Sequence, residues 1–140
     1  MRRTTQTVQN LATQVGAGDH AAFRRLYAAY APDTLAAVQV GLPDPVQSMH
    51  VVRATFCEVW RMCSFDFRCG TAPHDVPEWI AAIASRLAEE RRVALELIET
   101  SIPPPGGSAF WTELLAAHDQ WTCLELATML DGHDNVRLVT

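Results

Sequence analysis

The chain contains no lysine. All 11 of its basic residues are arginine, and 16 acids set against them leave a net charge of −5 over 140 residues. An acidic total excludes bulk attraction to nucleic acid, so any such contact must come from locally placed arginines. Long apolar runs are missing too. No stretch approaches the roughly 18 apolar residues of a membrane span, which predicts a protein with no membrane segment. The opening Met1-Arg2-Arg3-Thr4-Thr5-Gln6 has no apolar signal core, which points to the cytoplasm. Cysteines are few (Cys57, Cys63, Cys69 and Cys123), and with no mark of secretion they are expected as reduced thiols.

Catalytic motifs are likewise absent. There is no Gly-x-Ser-x-Gly, no His-Glu-x-x-His and no phosphate loop. No acid–base constellation converges, so neither an enzyme nor a cofactor is expected. Cys63, Cys69 and His74 gather around one segment, but they are separated by five and four residues. A zinc knuckle holds its cysteines about two residues apart, so these are expected as ordinary loop residues with no metal.

What remains is a globular composition with 20 alanines, 49% hydrophobic residues and a mean hydropathy near zero. That length suits one domain or two small ones. Nearly every segment has helical periodicity, and none alternates as a strand would. The spacing predicts a helix over 5–15 ending at Gly16-Ala17-Gly18, with Asp19 capping a second helix that runs to about Tyr30. Pro32 is expected to start another, with Leu35, Val38 and Leu42 on its stripe. Asp44-Pro45 opens a long helix through Val52, Phe56, Val59 and Trp60 to about Met62. A loop is expected over 63–76, then a helix from Pro77 to about Ile98.

Ile102-Pro103-Pro104-Pro105-Gly106-Gly107 reads as a linker, since proline removes helix hydrogen bonds and diglycine adds freedom. Two short helices follow, Phe110–His118 and Thr122–Leu130. Charge divides at this linker: residues 1–102 hold 10 arginines and 11 acids, whereas 103–140 hold one arginine and five acids.

The order of segments resembles a bacterial extracytoplasmic-function sigma factor of RNA polymerase over about residues 8–95. Gly18-Asp19-His20-Ala21-Ala22-Phe23-Arg24-Arg25-Leu26-Tyr27, then Tyr30-Ala31-Pro32, is similar to that family's opening. Asp44 to Trp60 resembles its polymerase-binding helix. Phe65-Asp66 and Gly70 resemble its promoter-melting loop, and Trp79-Ile80-Ala81-Ala82-Ile83-Ala84 the start of its −10-reading helix. The resemblance implies an all-α protein: a sigma-domain-2-like bundle over 1–101, a Pro/Gly linker over 102–109 and a truncated helix-turn-helix-like tail over 110–140. It further implies binding of the clamp of the polymerase's largest subunit through Gln47, His50, Arg53, Ala54 and Glu58. Single-stranded promoter DNA would fall to Phe65, Phe67, Arg68, Trp79, Arg86, Arg91 and Arg92, because unstacked bases need aromatic walls and phosphates need arginines.

Several positions depart from the family pattern. His50, Arg53 and Ala54 stand where acids and amides are usual, Arg86 replaces an asparagine and Glu90 an aspartate. Val93 and Ala94 occupy places of expected arginines. In the tail, Trp121-Thr122-Cys123-Leu124-Glu125-Leu126-Ala127-Thr128-Met129-Leu130 resembles the first helix of a −35-reading motif, but only Val136-Arg137 follows of a recognition helix, which needs two or more turns. Two functions therefore compete: transcription initiation on promoter −10 DNA, and a non-initiating sigma mimic that binds an anti-sigma factor or another regulatory protein. The tail's apolar residues (Phe110, Trp111, Leu114, Leu115, Leu124, Leu126, Met129 and Leu130) need burial on the first domain or on a partner. A homodimer through Trp111 and Leu130 is one such expectation.

Overall fold

A computed structural model describes residues 10–66, 75–100 and 107–131, and all regular structure among them is helical. A helix over residues 10–16, α1, precedes α2 (His20–Gly41), α3 (Pro45–Asp66), α4 (Val76–Thr100) and α5 (Gly107–Asp131). No helix of the described residues is long and apolar enough to cross a membrane.

The helix starts follow the aspartates. Asp19 Oδ1 accepts the amide of Ala22 at 3.1 Å, Asp44 Oδ1 that of Val46 at 2.9 Å, and Asp75 Oδ1 that of Glu78 at 3.0 Å. Asp19 also helps to close α1. Its own amide donates to the Gln14 carbonyl at 3.0 Å while Gly18 donates to Val15 at 2.9 Å, and Gly18 sits at φ +90°, where a side chain would be strained. One residue thus ends one helix and begins the next.

Helix α3 lies at the centre, packed against α2, α4 and α5. Phe23 and Leu26 of α2, Val52, Phe56 and Val59 of α3, and Ile80 of α4 are fully buried together, joined by Ala12 and Val15 of α1 and by Leu126 and Met129 of α5. A smaller cluster of Val38, Leu42, Val51 and Ala84 seals the other end. Tyr27 meets Phe56 edge-on, with centroids 5.0 Å apart. Buried hydroxyls bond back within their helices, as Thr55 does to Val51 at 2.7 Å.

Three boundaries differ from those read in the sequence. Pro32 lies inside α2 rather than at the start of a new helix. It has no amide for the Ala28 carbonyl, but both residues are exposed and water can serve that oxygen. Helix α3 continues through Cys63 to Asp66, because Cys63 is fully buried in the main core. The tail is one helix, not two: Asp119-Gln120-Trp121 continues the turn, and it starts at Gly107, inside the expected linker. What holds Asp119 in the helix is a buried arginine.

Candidate functional site

The seam where α3, α4 and α5 meet contains the most deeply placed charges. Arg91 of α4 donates through Nη1 and Nη2 to the two carboxylate oxygens of Asp119 at 2.6 and 2.7 Å, a two-pronged pair with both side chains about one-tenth exposed. The same guanidinium donates through Nε to Gln47 Oε1 of α3 at 2.8 Å. His50 Nε2, one turn along α3, is 3.5 Å from Asp119 Oδ2. Burial holds the His50 imidazole below its ordinary value; Asp119 pulls it upward, while Arg91 and Arg53 push it down. Three helices are tied at one point.

The exposed surface of α4 presents its other arginines differently. Arg86 pairs with Glu58 of α3 and, at 3.3 Å, with Glu90. Arg92 sits between Glu89 at 2.7 Å and Glu96 at 3.1 Å, all in solvent. These pairs raise the Arg86 and Arg92 guanidiniums above their ordinary range.

Of the residues expected to meet the polymerase, Gln47 and His50 therefore face the seam with α4 and α5, while Glu58 pairs with Arg86 of α4 at the surface. Arg53 and Ala54 are half-buried on α3, with the Arg53 charge near Tyr27, where it opposes the upward push of burial on the phenol. Of those expected to meet DNA, Arg86, Arg91 and Arg92 are all paired with carboxylates, and Trp79 is half-buried against the main core. The Phe65 side chain, Phe67 and Arg68 lie outside the described residues, as do Cys69 and His74 of the metal question. Leu130, expected in a dimer contact, packs against the main core, and the Trp111 side chain is also outside.

Sequence reasoning missed how α5 is held. Arg61 of α3 donates to Glu125 Oε1 through Nε at 3.0 Å and through Nη2 at 2.5 Å. At the C-terminal end of α5, His20 Nδ1 donates to the Met129 carbonyl at 2.6 Å and Arg24 Nη1 to that of Leu130 at 2.7 Å. Donors from α2 thus satisfy carbonyls that a helix end leaves open, where cations are also favoured by the helix dipole. The His20 ring stacks on Trp60 with centroids 4.6 Å apart. The Cys57 thiol donates to the Thr122 carbonyl at 3.6 Å, and burial pushes it up to about 12, which disfavours the thiolate. One signal was available: Asp119 falls at helical spacing on the same face as Leu115 and Leu126, and a charge on an apolar face needs a buried partner.

No family model matches the chain, and neither a curated protein nor a solved structure matches it significantly.

Proposed function

We propose that this chain is a sigma-factor-like, non-enzymatic transcription protein of the cytoplasm, and that it acts as a non-initiating mimic binding a regulatory protein such as an anti-sigma factor. The sequence basis is the gap-free run from Asp44 to Trp60 and the ordered motifs on either side of it. One observation favours the mimic over an initiator: Gln47, His50 and Glu58 are engaged by Arg91, Asp119 and Arg86, with α5 lying along α3. An initiator needs that face for the polymerase and those arginines for promoter DNA. Freeing Arg91 would leave Asp119 buried without its counter-charge, which costs about 3–5 kcal/mol for a broken buried pair.

Initiation on promoter −10 DNA is the competing role, supported by the same ordered motifs. Purified chain mixed with core RNA polymerase at low salt, followed by run-off transcription, separates the two. The mimic gives no promoter-dependent transcript. A transcript that requires this chain would overturn the proposal and favour initiation.

A further inference from the structure

Helix α5 buries one face and leaves the opposite one apolar. Leu115, Asp119, Thr122, Leu126 and Met129 point inward or sit partly covered, as expected for a helix docked on a core. The outward side carries Leu114, Ala117, Trp121, Leu124 and Thr128, spaced alternately three and four residues apart over two heptads. Leu114 is 54% exposed, Trp121 66% and Leu124 60%. A helix that is apolar all round is ordinarily enclosed on all sides.

We infer that this stripe is the contact between two copies of the chain, paired antiparallel along α5 about a two-fold axis between Trp121 and Leu124. The inference goes beyond the proposed function and does not depend on it. Three features select a second copy as the occupant. The first is shape. Beside the stripe lies an open cleft of about 640 Å³, walled by Trp60 and His20 on one side and by Trp121, Leu124, Ala127 and Thr128 on the other. In antiparallel a-to-d register, Trp121 of one copy lies over Leu124 of the other, at the mouth of this cleft. The chain therefore supplies both the projecting indole and a place for it, as a two-fold contact requires.

The second is charge. Antiparallel pairing sets the edge residue His118 of one copy beside Glu125 of the other, and Gln120 beside Ala127, so no like charges oppose each other along the central turns. The third is the matching of small with small: Ala117 of one copy meets Thr128 of the other, which lets the helices approach while Trp121 and Leu124 fill the centre. Antiparallel pairing also opposes the two helix dipoles.

A single helix pair is a small interface, so the dimer is expected to dissociate in the micromolar range. Sedimentation equilibrium over about 1–200 µM should show monomer–dimer exchange. Trp121→Glu, a change at an exposed position, should weaken association by roughly 100-fold with an unaltered thermal melt. Orientation is read by disulfide trapping in a background of Cys69→Ser and Cys123→Ser. An equimolar mixture of Ala117→Cys and Thr128→Cys chains should cross-link, while Ala117→Cys alone should not. A wild-type chain that stays monomeric at the top concentration overturns the inference, as does a Trp121→Glu chain that dimerises as well as wild type. Cross-linking of Ala117→Cys with itself would assign the parallel arrangement and overturn the antiparallel one.

Discussion

Arg91 and Arg92 are neighbours on α4 with opposite surroundings. Arg91 turns into the seam, about one-tenth exposed, and meets Asp119 and Gln47 from two other helices; Arg92 turns into solvent and meets only carboxylates of its own helix. A hundred-degree step around a helix separates them. In the seam, little water competes for the charges, and each must have its partner. On the outer face, water and salt screen the pair, and its contribution is small whatever its geometry. Two identical side chains thus differ in what they hold together: Arg91 joins α3, α4 and α5, whereas Arg92 decorates one of them.

The largest effect should follow Arg91→Ala, which leaves Asp119 buried without its counter-charge. A loss of about 3–5 kcal/mol in urea unfolding is expected. Replacing both partners with apolar residues, Arg91→Met with Asp119→Leu, should restore most of that stability, since what destabilises is the orphaned charge. A double variant as weak as the single one would show that the pair does more than satisfy itself. Next comes Arg24→Ala, which removes a donor to the Leu130 and Asp131 carbonyls and should cost about 0.5–1 kcal/mol. Hydrogen exchange should then rise first in the last turn of α5.

A smaller effect concerns acid. His50 is held below its ordinary value of about 6.5, chiefly by burial, so on acidification the unfolded chain binds this proton before the folded one does. Its contribution is level above pH 6.5 and becomes destabilising as pH falls from there toward the lower folded value. His50→Gln should flatten that part of the stability–pH curve. Smallest of all is Arg92→Ala, for which no resolvable change in the unfolding midpoint is expected. A clear shift there would abolish the contrast between the two arginines.

The parts of the fold that rest on local chemistry were legible in the residues. Asp19, Asp44 and Asp75 each cap a helix because a short carboxylate reaches free amides one turn ahead, and that geometry involves no distant partner. The stripes of Phe23, Leu26, Val52 and Phe56 were legible for the same reason. Pro32 misled because its cost depends on whether the orphaned carbonyl faces water, which only packing decides. A break was expected in α5 where none exists, because Asp119 and Gln120 interrupt the apolar pattern unless the partner of Asp119 is known, and that partner lies 28 residues away on α4. For the candidate site the loss was greater. Arg86, Arg91 and Arg92 were expected, from the resemblance, to meet phosphates, but the carboxylates Glu58, Glu90, Asp119, Glu89 and Glu96 that occupy them are spread over three helices.

The hold of α2 on the far end of α5 bears on the order in which the molecule assembles. His20 reaches Met129 across 109 positions of chain, and Leu126 and Met129 complete a core whose other members all precede them. During synthesis, α2, α3 and α4 leave the ribosome while the seat for α5 is still empty. The nascent bundle must wait with Trp60, Cys57 and the Gln47 side of α3 uncovered. Long-range closure of this kind slows folding and lengthens the time for which apolar surface is open to other chains. The surface that α5 covers in the finished protein is therefore open for a time during synthesis, before the last helix arrives.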